Sequence, residues 1–383
     1  MADQDLTEQH RRSVIALSKP GEALAAGAPH ATVRNRAWFV QRGPDRFEPK
    51  NARAQLHDRL IAEQRDSASD VRNDRRAIVL AGPPGAGKST VLADILGDSR
   101  NQYLVIDADE FKQSLLREAQ RDGSYESMIK PPEIRAREVV GERFFPLELA
   151  SLVHEESSIL AGRLRTEAVS EGSNVVIDTV LSSSAAAQAL GRQLDAAGYR
   201  IEVIDVEVPF EISAARITQR WQQSYEAALN GSDQLGGRWV PSEYAHDVYD
   251  GPGGMSRPEA AARELAADCP AVARYRVYRT IDEASATRRA PGSWEKDLVR
   301  EQHGGPLRST RASATTGSTN EASKQPAGNR STPMDPELVE LQRLRAAANG
   351  AAAGVNKNKP APTTKPPTAT GSRAPEEKNG RQR

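Results

Sequence analysis

A single cysteine, Cys269, in 383 residues leaves nothing within the chain for it to pair with, so neither an intramolecular disulfide nor a cysteine-built zinc cluster is available. That scarcity fits a reducing compartment. No apolar run approaches the roughly 18 residues a membrane-spanning helix needs, and the opening MADQDLTEQHRRS lacks the apolar centre of a signal peptide. The expectation is a cytoplasmic protein with no membrane span. Aromatic residues make up only 5% of the chain, and none lies beyond residue 300. Ser, Thr, Pro, Gly, Ala, Lys and Arg dominate there, too little apolar surface to offset the entropy of ordering. Formal charge sums to zero, yet the stretch after residue 300 carries about +6 and the remainder about −6. Residues 286–383 are therefore expected to form a disordered basic tail, a solvated linker rather than a nucleic-acid contact. Within it, Asp335, Pro336 and Gly350 punctuate a short helix over 335–349.

What the chain does contain is GPPGAGKST, which fits the phosphate-loop pattern G-x-x-x-x-G-K-[ST] at Gly82, Gly87, Lys88 and Ser89. The apolar run Ala77 to Ala81 before it reads as a buried strand, and Thr90 to Leu96, stopped by Gly97, as a helix. In that context the glycines let successive backbone N–H groups face phosphate oxygens, and the start of the helix adds its positive end. The nucleotide-binding set is then Gly82, Pro83, Pro84, Gly85, Ala86, Gly87, Lys88, Ser89 and Thr90, with Lys88 reaching the β- and γ-phosphates of ATP and the Ser89 hydroxyl on Mg²⁺.

Further strands follow at 103–106, 174–177, 200–208 and 273–278, alternating with helices over 184–197, 210–228 and 258–267. The stretch 111–172 reads as mainly helical with breaks near Pro131 and Pro146, and the glycine-rich 230–254 as a mobile segment over the site. Alternation of this kind predicts an α/β fold: a kinase-like phosphate-loop domain over 75–285, its parallel sheet covered by helices on both faces. Residues 1–50 show no sustained periodicity and are expected to be mostly irregular, with a lead-in helix and linker over 51–74.

A phosphate loop says that a triphosphate binds and leaves open what is done with it. There is no N-K-x-D guanine-reading pattern, and the acids after the second strand alternate as Asp107-Ala108-Asp109. A carboxylate just past the strand opposite the loop can accept the proton of an attacking hydroxyl, which favours a small-molecule kinase. A regulatory ATPase that only binds or hydrolyses ATP stays open as an alternative.

These residues resemble the zeta toxin family, bacterial kinases of toxin–antitoxin systems that phosphorylate UDP-N-acetylglucosamine. The likeness rests on the loop, on VIDADEFK (Val105 to Lys112), on Gly172 to Asp178, on ITQRW (Ile217 to Trp221), on GGRWVPSEYAHD (Gly236 to Asp247) and on RYRVYR (Arg274 to Arg279). It implies that Asp109 is the base on the sugar 3′-hydroxyl, that Asp107 supports the strand end or the Mg²⁺ shell, and that Arg220 and Arg238 gather at the γ-phosphate. It also implies that Asp178 touches the sugar nucleotide, here in Asp-Thr-Val where the family often has Glu-Gly-Thr, and that Glu155 and Glu156 offer another substrate contact. A separate antitoxin protein is the partner such a chain would have. Each residue has a plainer alternative: Asp109 as a helix cap, Arg220 and the glutamate pair on solvated faces, Asp178 capping a strand end, Arg238 an ordinary loop arginine.

Overall fold

The computed structural model describes residues 2–68, 70–282 and 294–310. Its centre is a seven-stranded sheet in the order β4-β5-β3-β6-β7-β8-β9, with β3 Arg76–Ala81, β4 Leu104–Asp107, β5 Val175–Asp178, β6 Arg200–Glu207, β7 Val272–Arg279, β8 Lys296–Val299 and β9 Arg308–Ser309. The five strands from β4 to β7 run parallel, and β8 and β9 join antiparallel beyond β7. Because the chain places β4 and β5 on one side of β3 and β6 on the other, its direction of winding reverses at β3. A crevice opens there at the carboxyl ends of the strands, where open α/β sheets hold their ligands.

The strand period divides the interior in two. On β3 and β6, Ala77, Val79, Ile201 and Val203 face one core, while Ile78, Leu80, Ile204 and Val206 face the other. Helices cover both faces. The larger core takes in α4 (Ala108–Asp122), α6 (His154–Glu171), α7 (Ser184–Ala196) and α10 (Arg257–Asp268); the smaller takes in α3 (Lys88–Leu96). Start signals in the sequence do their expected work: Ser183 and Ser256 each accept a backbone N–H at the first turn of α7 and α10, and Pro209 immediately precedes α8 (Phe210–Leu229). The stretch 111–172 is helical with the expected interruptions, α5 (Pro132–Val139) lying between them.

Three expectations are corrected. Residues 1–50 are not mostly irregular: they hold helix α1 (Ala2–Leu17) and an antiparallel hairpin of β1 (Phe39–Gly43) and β2 (Arg46–Pro49) ahead of α2 (Asn51–Asp66). The pattern was faint because α1 is anchored by few apolar side chains, Val14 and Leu17 among them, and by the buried polar His10. Nor does the ordered chain end at 285, since β8 and β9 extend the sheet and bury Leu298, Leu307 and Arg300. The proposed helix 335–349 lies outside the described residues. Finally, 230–254 contains helix α9 (Ser242–Asp247) and buries Leu235, Trp239 and Val240, so part of it belongs to the packed interior. Among the described residues, no helix is long and apolar enough to cross a membrane.

Candidate active site

The phosphate loop joins β3 to α3 with Gly82, Gly85 and Gly87 all at positive φ. At Gly82 the requirement is double: φ is 135°, and a Cβ there would come within 2.2 Å of the Val206 carbonyl oxygen. Helix α8 braces the loop from behind. Ser213 Oγ donates to the Pro84 carbonyl at 2.7 Å and Arg216 Nη1 to that of Gly85 at 3.2 Å, contacts whose sequence signal is only their position one and two turns before Arg220. Pro83, Pro84 and Ala86 are buried, whereas Ser89 and Thr90 stand exposed on the first turn of α3.

Lys88 folds back over this loop. Its Nζ donates to the Gly82 carbonyl at 3.1 Å and lies 3.9 Å from Asp178 Oδ1. Burial pushes the ammonium below its ordinary range, with Asp178 opposing the shift. The strand ends supply the acids. Register pairs Asp107 with Asp178 across β4 and β5, so two carboxylates emerge side by side at the crevice. Burial, then the neighbouring Asp178, pushes Asp107 up to about 6, and burial also raises Asp178.

Asp107 rather than Asp109 caps α4, its Oδ1 accepting the Asp109 N–H at 2.8 Å. The carboxylate of Asp109 is thereby left to other partners: Oδ1 accepts from Lys112 Nζ at 2.9 Å, and Oδ2 is paired with Arg238. Lys112, one turn along α4, is pushed down to about 8 by burial. It stands within VIDADEFK, yet only the fold of α4 reveals that it reaches Asp109. Burial likewise lowers Arg238.

The remaining candidates divide. Arg220 is exposed on α8, near enough for its charge to act on Lys88 but without the direct pairing that Arg238 has. Glu155 is half-buried in the first turn of α6, beside His154, which lies within reach of the Lys112 charge. Glu156 corrects the expectation of a substrate contact. It is fully buried, and its carboxylate is taken by Arg53 (Nε at 2.6 Å, Nη2 at 2.8 Å) and by His57 Nε2 at 2.7 Å. In a helix, adjacent residues point in different directions, and here the second of the pair faces α2 instead of the crevice.

A sequence profile described as Zeta toxin matches residues 59–131 and 136–286. A curated relative, a calmodulin calcium-dependent NAD kinase of Arabidopsis thaliana, is 32% identical over 124 residues, 30% of this chain; the chain spans a fifth of the length of that relative. Among solved structures, the AvrRxo1-ORF1:AvrRxo1-ORF2 complex with sulphate ions is similar at 17% identity, with 73% of this chain and 80% of that chain covered and a TM-score of 0.48. The PezAT chromosomal toxin–antitoxin system of Streptococcus pneumoniae is similar at 15% identity, with 63% and 80% covered and a TM-score of 0.40. The matched segments take in more than half of the chain, from α2 through β7, and include the phosphate loop, both strand-end acids, Asp109 and Arg238: the chain belongs to the zeta toxin family.

Proposed function

We propose that the protein is an ATP-dependent phosphotransferase that moves the γ-phosphoryl group of ATP to a hydroxyl of a nucleotide-diphosphate metabolite, with the 3′-hydroxyl of UDP-N-acetylglucosamine as its first acceptor. The observation that carries this reading is the convergence of Lys88, Asp107, Asp109, Asp178 and Arg238 at one crevice. In the reaction the acceptor oxygen bonds to the γ-phosphorus as the bond to the β-phosphate oxygen breaks, Asp109 takes the hydroxyl proton, and ADP leaves. A carboxylate flanked by Lys112 and Arg238 is a weak base, which suits a loose phosphoryl-transfer transition state in which orientation matters more than basicity. Lys88 and Arg238 offset charge on the transferring oxygens, with Arg220 joining them from α8. The donor set fits Mg²⁺, through the exposed Ser89 hydroxyl and an Asp107 carboxyl whose raised pKa a divalent cation would reverse. When bound, that ion would neutralise charge on the β- and γ-phosphates.

The NAD kinase relative motivates a second acceptor, since NAD also presents ribose hydroxyls beside a diphosphate. The test is purified protein with ATP and Mg²⁺ against a panel of sugar nucleotides and NAD, read by mass spectrometry for the gain of one phosphoryl group. Product from NAD alone moves the acceptor to the second reading; ATP hydrolysis with no phosphorylated acceptor overturns the kinase. A separate antitoxin protein is the partner to seek, by co-purification.

A further inference from the structure

We infer that His10, in a helix outside the segments shared with the family, is a positioning residue for Arg238; its effect on catalysis rests on the reading of Arg238 as a phosphate arginine. Gly236 and Gly237 lie flat on two aromatic residues: a Cβ on Gly236 would come within 2.4 Å of Phe145 Cβ, and one on Gly237 within 2.3 Å of the Trp221 carbonyl oxygen. Leu147 N–H donates to the Leu235 carbonyl at 2.9 Å just upstream, and the Trp239 ring meets Trp221 edge to face at 5.6 Å just downstream. Arg238 thus projects from a ledge made by Phe145 and Trp221.

One carboxylate holds both halves of that ledge. Glu148, only 2% exposed, accepts from the Phe145 N–H at 2.9 Å through Oε2 and from Trp221 Nε1 at 3.0 Å through Oε1. His10 closes the arrangement from α1. Its Nε2 lies 2.9 Å from Glu148 Oε1 and its Nδ1 2.8 Å from Glu142 Oε1, and its ring stacks on Tyr225 at 4.5 Å, which in turn stacks on Trp221 at 5.3 Å. Both ring nitrogens face carboxylate oxygens, and an imidazolium, which donates from both, is the form that satisfies the two at once. Burial opposes that charge, but the hydrogen bonds to Glu148 and Glu142 outweigh it and hold His10 above its ordinary range. Take the imidazolium away and Glu148 becomes a buried carboxylate with no counter-charge. It must then reorient, which loosens Phe145 and Trp221 beneath the glycines.

The test uses the full chain and two readouts. Amide hydrogen exchange in His10→Gln should speed up about tenfold or more at 235–239 while 77–96 keeps wild-type protection, since only the ledge loses its support. Uniform acceleration at both segments, or none at 235–239, overturns the inference. In the phosphoryl-transfer assay, kcat should fall about tenfold in H10Q and about a hundredfold in G237A with ATP affinity within about twofold, and H10Q should have no further effect in an R238A background. An equal loss in that background overturns a role through Arg238. If H10Q has no cooperative melt, Gly237→Ala, which leaves His10 and its glutamates in place, decides: exchange at 235–239 and kcat both within about twofold of wild type overturn the inference. A wild-type protein that phosphorylates nothing refutes the kinase instead, and the exchange result still stands or falls by itself.

Discussion

The loop that carries Lys88 and the ledge that carries Arg238 each hold a cation at the same crevice, and they differ in where their information lies. Between Ala81 and Thr90 the shape comes from local chemistry: three glycines at positive φ, a strand before and a helix after. The ledge draws on His10, Phe145, Glu148 and Trp221, with hydrogen bonds spanning 73 and 138 residues of chain. A nine-residue window therefore writes the backbone around one cation, with α8 bracing it from behind, whereas the other depends on three separate elements meeting beneath it. Local sites survive remote substitution and fail through their own residues; assembled sites fail from a distance.

The sharpest contrast comes from the local site itself. Lys88→Ala should abolish phosphoryl transfer if, as proposed, its charge meets the β- and γ-phosphates; turnover within a factor of two of wild type would remove Lys88 from the site. Asp109→Asn should keep ATP affinity while kcat falls by roughly 10²–10⁴. Lost ATP affinity would instead make Asp109 a nucleotide or metal ligand.

The assembled half is open to attack from the N-terminal segment. Glu156→Ala leaves Arg53 buried without its counter-charge and removes the carboxylate that faces His57, and should cost about 3–5 kcal/mol in denaturant unfolding. Replacing Arg53 and Glu156 together by apolar residues should cost much less. Equal losses would show that packing, not uncompensated charge, sets the penalty. Truncation probes the opposite end. Removal of 311–383 should leave the melting temperature unchanged, whereas a stop at 286 strips β8 and β9 from the edge of β7, exposes its apolar Tyr275 and Val277, and should lower it by several degrees. Identical melts would mean that the two edge strands add nothing.

The smallest effect is the pH dependence of His10. Its folded value lies above the ordinary 6.5, so its stabilising contribution is fully present below pH 6.5 and is lost as the pH rises through the folded value. The facing groups are Glu142 and Glu148, with Arg137 on Glu142 and Tyr225 against the ring, and Arg11 is paired with Glu8 on the same helix. Wild-type stability minus that of H10Q, measured across this range, should shrink toward alkaline pH. A difference that stays flat would mean that His10 holds its proton no more tightly in the folded protein than in the unfolded chain.

Strand alternation and turn chemistry made the parallel sheet, the phosphate loop and the carboxyl-edge acids legible, since each of these is written within one element or its immediate flanks. Boundaries of β3 through β7 differ from the expected ones by at most one residue, the usual fraying of element ends. Other features could not be read that way. The pair Glu155 and Glu156 looks symmetrical as text, and only the direction of α6 sends the second into a buried cluster with Arg53 and His57. Helix α1 carries too weak an apolar stripe to announce itself, because its anchor includes a buried polar histidine whose partners lie 132 and 138 residues away.

By itself, then, the sequence determined the strand–loop–helix of the phosphate site, the alternation that makes the sheet parallel and the acids at its carboxyl edge, since backbone conformation and side-chain period are local properties. Tertiary structure alone decided that Asp109 lies between Lys112 and Arg238, that Glu156 turns inward, and that His10 and Glu148 stand behind the arginine. Those outcomes depend on which buried charges find partners, and a charge can be matched only after distant segments have packed together.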